Sequence, residues 1–472
     1  MPLSILGLQP AVFAQISQPV PPVTQTNIQP ATADTVVVQQ SNQFEISGGQ
    51  STEGTAPNLI HQFQNFDLNS GDTANFVVDS NVANVISLID DVQPSSINGL
   101  LELTSSDPNT ASTANLFLVN SAGIVFGEDV SLNLPANLTA TTSSGLLFQE
   151  RYLLSTDGTI SEIVLPNSLS IDGTSSSLDS STVHSPTVHD LTGEPNGYLM
   201  LEDITSQEPF DPLDPLSPTL PNGSIENQGN LRVSPQGSIT LIGQYIQNDG
   251  SLEAPGGTVN LIATSGDNLL RISQPDSLLS LEVIPADTLA VLSSTEHSSE
   301  LLATDLVQLL TGGHSEGATQ IETGSDGAQI LTGASSLTPA AGTVLVRGQI
   351  DVSATTSSVQ DSVPAQVNIL GNQISLIGGN IQANSVSSAG TISIGGMPVV
   401  DGLTATYVLI DRNSTLSAAS LAANGGIIHI WADDTVEFYG KATAAGASSD
   451  LDGRISIDAG NIVDIRQPAT AR

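Results

Sequence analysis

Two pairs of adjacent carboxylates stand out in a chain otherwise poor in reactive groups: Asp90-Asp91 in "LIDDVQ" and Asp433-Asp434 in "WADDTVEF". Paired acids serve glycoside hydrolysis, and clustered carboxylates beside a basic proton acceptor serve polysaccharide elimination. Neighbouring side chains in a strand point to opposite faces, so either pair works together only in a turn. Both pairs read as solvated turns that end strands. Arg347 and Arg412, the bases such a site would need, are isolated in the sequence. His184 and His189 lie in a polar run with no carboxylate or thiol to complete a zinc set. His61, next to Phe63, reads as structural or exposed. Glu202, Asp203, Glu208, Asp211 and Asp214 fall in a proline-rich run and read as a solubilising linker, with weak cation binding as the alternative. Trp431 and Tyr439 read as strand-edge packing or as a small sugar-contacting surface. There is no phosphate loop, and Lys441 is the only lysine. No Gly-x-Ser-x-Gly elbow sits in a strand–turn–helix setting. The residues therefore predict no catalytic site, no cofactor and no metal site. The enzymatic alternative is a polysaccharide lyase or hydrolase.

Composition narrows the classes further. Hydrophobic residues make up 39% of 472, too many for a disordered chain, yet aromatics are only 3%. Burial must come from Val, Ile, Leu and Ala, which suits a narrow interior. The net charge of −39 repels nucleic acid and anionic membrane surfaces. There is no cysteine, so disulfides and thiolate zinc sites are excluded. No apolar run is long enough for a transmembrane helix. The opening "MPLSILGLQPAVFAQISQ" reads as the remnant of a signal peptide whose start is lost or miscalled, since it lacks a basic n-region.

The elements that must position these residues are short strands. Alternation with period 2 recurs in runs of four to six residues bounded by Gly, Asn or Asp. Residues 301–310, "LLATDLVQLL", are the best helical candidate. A unit of small residue, β-branched, polar and aliphatic repeats as "GSITLIG" (237–243), "GGTVNLIA" (256–263), "GTVLVRG" (342–348), "AQVNILG" (365–371), "GTISIGG" (390–396), "GGIIHIWA" (425–432) and "GRISIDAG" (453–460). Aligning first aliphatics gives steps of 20 from Ile239 to Val259, 23 from Val344 to Val367, 25 from Val367 to Ile392 and 27 from Ile428 to Ile455. Such periods, with a second short strand inside each, predict a solenoid whose rungs stack their inward aliphatics. A parallel β-helix is the expected fold, ahead of a sandwich or propeller. Residues 150–222, rich in Ser, Pro and Asp, read as a partly mobile surface excursion. Residues 266–340 read as an irregular insertion with extra strands and one short helix.

The segment "NLFLVNSAGIVFGEDVSLNLPANLTATTSSGL" (115–146), preceded by "NLIHQFQNFDLNSGDTANFVV" (58–78), resembles the N-terminal secretion domain of filamentous-haemagglutinin-type exoproteins, the passengers of two-partner secretion. Phe63 and Phe66 match the family's Phe-x-x-Phe strand. The family's Asn-Pro-Asn-Gly-Ile turn and following Phe-Gly are matched by Asn120, Gly123, Ile124, Phe126 and Gly127, with Ser121 and Ala122 in place of Pro and the second Asn. Asn115 opens the strand before the turn. Downstream stretches such as 227–263, 341–354, 367–383 and 427–440 resemble the family in a cyanobacterial-like form. The resemblance implies an all-β, right-handed parallel β-helix, with those eight residues as a secretion motif. It implies export through an outer-membrane β-barrel transporter to the outside or outer surface of a Gram-negative-type bacterium. It also implies an adhesin-like, non-catalytic role toward host cells, neighbouring cells or polysaccharide surfaces. The expected organisation is a signal remnant and linker over 1–29 and a secretion domain over 30–265 containing the 150–222 excursion. An insertion over 266–340 and further rungs over 341–472 follow. The end at Arg472, just after a rung-like strand, reads as that of a fragment or a short paralogue.

Overall fold

The computed structural model describes residues 25–164, 186–200, 223–264, 266, 268–273, 280–285, 290–291, 321–323, 329–331, 342–354, 365–387, 389–396 and 403–466. Its backbone winds as a coil with three faces. On the first face, strands Asn58–Asp67, Asn84–Ile89, Asn115–Asn120, Leu138–Thr141, Ser238–Gly243, Thr258–Ala263, Gln366–Leu370, Thr391–Ile394, Ile427–Ala432 and Arg454–Ala459 pair in parallel, each with the next. The second face stacks nine parallel strands, from Ser95–Ile97 through Gly123–Phe126, Ser224–Asn227, Tyr245–Asn248 and Thr343–Val346 to Ile462–Ile465. The third face holds Gln43–Gly48, Thr73–Val78, Leu100–Ser105 and Ser131–Asn133, then Asn230–Arg232 to Lys441–Thr443. This is the parallel β-helix the repeat predicts, with the right-handed crossovers that parallel connections adopt.

The first turn is closed by antiparallel pieces. Asn27–Pro30 and Gln50–Ser51 pair with Asn58–Asp67, and Thr35–Gln40 folds back on Gln43–Gly48. The inward row is aliphatic through most of the coil, for example Ile239, Leu241, Val259, Leu261, Val367 and Ile369. Aromatics concentrate at its start, where Phe44, Phe63, Phe66, Phe76 and Phe126 are buried. Where the second face turns into the third, rungs approach so closely that a Cβ on Gly250 would lie 2.1 Å from the Gly229 carbonyl oxygen. Only glycine fits at that position.

Three expectations need correction. The step from Val344 to Val367 is not a rung. Val344 pairs with Ile246 and Ile374 on the second face, whereas Val367 pairs with Val259 and Ile392 on the first. Both strands carry the same small–branched–polar–aliphatic pattern, so the local pattern does not distinguish faces. The other three steps each join register partners on adjacent first-face strands.

The second correction concerns the 150–222 excursion. Its described parts are not a loop in solvent. Strands Gly145–Phe148, Tyr152–Ser155, Ile160–Val164 and Gly197–Met200 form an antiparallel side sheet. That sheet packs Leu146, Phe148, Leu154, Tyr198 and Met200 onto outward residues of the first face, Ile60, Ile86, Leu88, Phe117, Val119, Ile242 and Ile262.

The third follows from the second. First-face strands such as "NLFLVN" and "SITLIG" are buried on both sides rather than alternating. The 266–340 stretch adds Asn268–Ser273, Ser280–Pro285 and Ala290–Val291 to the same sheet. The helical candidate 301–310, His184 and the acidic run 202–214 lie outside the described residues.

Candidate functional site

The Phe-x-x-Phe pair owes its geometry to a bulge. In a regular strand, residues three apart face opposite sides. Here the register between Asn27–Pro30 and Asn58–Asp67 shifts: Asn65 faces Gln29, but Phe63 faces Pro30. The extra residue, Gln64, is exposed, and both phenylalanines turn inward with no exposed surface. Phe63 and Phe66 meet edge to face at 5.1 Å, and Phe66 stacks on Phe76 at 6.1 Å.

The corner at 120–123 joins the first face to the second. Asn120 is fully buried and makes the turn with its own side chain: Oδ1 accepts from the Ala122 amide at 2.9 Å. Its Nδ2 donates to Ser95 Oγ at 2.9 Å and to the Gln93 carbonyl at 3.2 Å in the rung before. Such a local side-chain bond fixes a turn without proline. Gly123 follows with φ +136°, and a Cβ there would lie 3.0 Å from the Ser224 carbonyl oxygen and 3.2 Å from Pro94 Cβ. Ile124 and Phe126 enter the core, and Gly127 leaves room for the Asn98 side chain.

Asn115 belongs to a ladder. Asn137 donates to Asn115, Asn115 to Asn84 and Asn84 to Asn58, at 2.9, 2.7 and 2.7 Å. Asn58 then donates to the Leu191 and Gly193 carbonyls, and Asn115 also reaches Glu194. The ladder therefore docks the excursion against the corner that leads into the first face. Sequence reasoning missed Asn58, Asn84 and Asn137, though each opens an aliphatic run, as in "NLI", "NVI" and "NLT". Ser95, Pro94 and Ser224 were also missed, because only stacking brings them to the turn.

Register unites the two motifs. Phe63 pairs with Ile89, and Ile89 with Asn120. Leu68 pairs with Ile97, and Ile97 with Phe126. The eight motif residues thus lie in the first and third of three successive rungs, joined through the strands 84–89 and 95–97 between them. Of residues 120–126, only Ser121 is even partly exposed.

His61 faces into the same rungs. It is fully buried between Phe63 and Phe76, at 6.2 and 5.8 Å between ring centroids, and neither ring nitrogen has a partner. Burial lowers its pKa from 6.5 to about 4. The folded state therefore binds the proton less well than the unfolded chain between these values. Stability is fully present above about pH 6.5 and falls as pH drops to about 4, by about 3 kcal/mol for a shift of that size. The expected result is increasing proteolysis of the first rungs at fixed urea as pH falls through that window. His61→Leu flattens this profile. A profile identical in that variant contradicts the assignment.

Three of the four paired carboxylates are tied up in turns, and Asp90 is exposed. Asp91 accepts from Asn65 and from the Gln93 amide. Asp433 accepts from Trp431 Nε1 and from Thr404, and Asp434 from Thr435 and Asn461. Trp431 lies on the first face, whereas Tyr439 follows a second-face strand and bonds Glu437 and Asp464. They do not share a surface strand. The nearest approach to an acid–arginine cluster is on the second face. Glu226 is buried, which raises its pKa, and accepts from Gln228. Arg347 there holds both oxygens of Asp249, at 2.6 and 3.1 Å. Among the described residues, no three His, Asp or Glu side chains are grouped to hold a metal ion, and no helix is long and apolar enough to cross a membrane.

Comparison with known proteins agrees with the family resemblance. The TPS secretion domain family matches residues 22–304. No curated protein matches the chain. Among solved structures, it is similar to the HMW1 secretion domain from Haemophilus influenzae, at 15% identity and a TM-score of 0.40, covering 93% of this chain and 98% of that one. It is also similar to the filamentous hemagglutinin secretion domain, at 12% identity and a TM-score of 0.33, covering 94% and 98%. With the family matched over more than half its length, the chain belongs to the TPS secretion domain family, the exoproteins of two-partner secretion.

Proposed function

We propose that this protein is an adhesin-like, non-catalytic passenger that crosses the outer membrane through a β-barrel transporter and folds outside. The observation that carries the reading is that Phe63 and Phe66 lie one intervening rung away from Asn115, Asn120, Gly123, Ile124, Phe126 and Gly127, inside the span matched by the family. Because 120–126 is almost wholly buried after folding, a transporter that reads this corner reads the unfolded chain. Extended segments suit that role, since a strand can add to the sheet edge of a periplasmic domain. Once outside, each rung templates the next. The absence of cysteine supports threading, because no disulfide can form beforehand. The outward polar side chains of later rungs supply the surface toward cells or polysaccharide.

Fractionation of the native host, with and without its transporter, tests the export step. The full chain is expected in the medium or on the outer surface only when the transporter is present, and N-terminal sequencing of that form gives the processing point. Equal display without a transporter overturns the reading. Depolymerisation of an acidic glycan by the purified protein overturns its non-catalytic part.

A further inference from the structure

The corner between the first and second faces releases the chain twice, after Thr141 and after Ala263. The two excursions are more than 60 residues apart in their pairing, yet they build one antiparallel sheet. Its order is Ser280–Pro285, Asn268–Ser273, Gly197–Met200, Gly145–Phe148, Tyr152–Ser155, Ile160–Val164 and Ala290–Val291. Strands of the second excursion occupy both edges of the first. Tyr198 pairs with Leu270 on one side, and Ile163 with Val291 on the other. Leu270 is fully buried in the same cluster as Ile86, Phe117 and Val119. Its neighbour Arg271, 4% exposed, bonds Glu150 at 2.8 Å, in the hairpin turn where Gln149 and Glu150 both have positive φ.

Followed from the N-terminus, the chain reaches residue 200 with two unpaired sheet edges over an apolar stripe. A four-stranded sheet with both edges open is a weak cover and a template for mispairing. Among the described residues, both edges are closed by the strands Asn268–Ser273 and Ala290–Val291. The family match points the same way, since it runs past the coil strand ending at 263 and takes in 291. We infer that the strands Asn268–Ser273, Ser280–Pro285 and Ala290–Val291 act as a clasp: they close the edges of the sheet that covers the second core of the first face, and the N-terminal coil becomes a stable unit only once the chain has emerged through 291. The order of emergence rests on the export reading; the coupling between the two excursions does not.

Hydrogen exchange on the purified full chain tests the coupling. In Leu270→Asp, amides of 145–148 and 197–200 are expected to lose protection about a hundredfold, the scale of a buried leucine replaced by a charge, while rungs 391–459 keep theirs. Arg271→Gln gives a smaller loss over the same amides. Loss confined to 268–285 overturns the clasp. Pulse labelling during refolding of the unaltered chain is the second measurement, and it decides the matter if Leu270→Asp unfolds throughout. Strands 145–148 and 197–200 should gain protection together with 268–273, and after 84–89 and 115–120. Protection of 145–200 before 268–273 overturns the inference. No transporter is present in these assays, so a negative result leaves the secretion reading standing.

Discussion

Replacing Gly123 by valine is expected to cut the exported amount at least about tenfold and to destabilise the first rungs by about 3 kcal/mol or more. Its φ of +136° is one that side chains rarely adopt, and a β-branched residue tolerates it least. The added carbon also meets the Ser224 carbonyl above and Pro94 below, and neither can yield without moving a rung. Asn120→Leu attacks the same corner differently. It removes three hydrogen bonds and leaves Ser95 Oγ and the Ala122 amide short of a partner in a buried site. Export is measured as the ratio of extracellular to cell-associated chain, and stability by urea-dependent hydrogen exchange. Wild-type export of both variants would remove the role assigned to this turn.

Phe66→Ala is the second large effect, with a loss of about 3–5 kcal/mol in the first rungs. The ring is fully buried, packs on Phe63 at 5.1 Å and on Phe76 at 6.1 Å, and reaches the core only because of the bulge at Gln64. A cavity there cannot be refilled by neighbours held in stacked rungs. Because each rung rests chiefly on its neighbours, the loss is local: amides of 58–67 and 84–89 exchange faster, while 391–459 do not change. Phe66→Leu keeps most of the volume and loses under about 1.5 kcal/mol. A loss below about 1 kcal/mol for the alanine variant would show that the aromatic cluster does not hold the start of the coil. Comparing the two sites also separates stability from recognition. If the corner is read by a transporter, Gly123→Val loses more export than Phe66→Ala at equal destabilisation.

Much of the coil was legible because its determinants are local. Alternating aliphatics such as Val259 and Leu261 mark inward positions, and glycine or asparagine marks corners. The corner at 120–123 was legible as a turn from Asn120 and Gly123, and its lack of proline is answered by the Asn120 side chain. The asparagine ladder was written in the sequence as well, but it becomes visible only when unequal repeats are brought into register. Steps between rungs vary, so Asn58, Asn84, Asn115 and Asn137 do not announce a period.

The sequence alone determined that this chain would coil into stacked short strands, and that no clustered chemistry was spelled out along it. Tertiary structure decided which face each strand joins, as the misplaced step from Val344 to Val367 illustrates. It also decided that two distant excursions become one sheet. The physical reason is that inward positions are set by a two-residue period within one strand, whereas the outer side of a strand takes its character from whatever covers it. Ile86, Phe117 and Ile262 look like surplus apolar residues until strands from 145–200 and 268–273 pack over them. Pairing across such separations leaves no local pattern; it is fixed by the corner at which both excursions leave the coil.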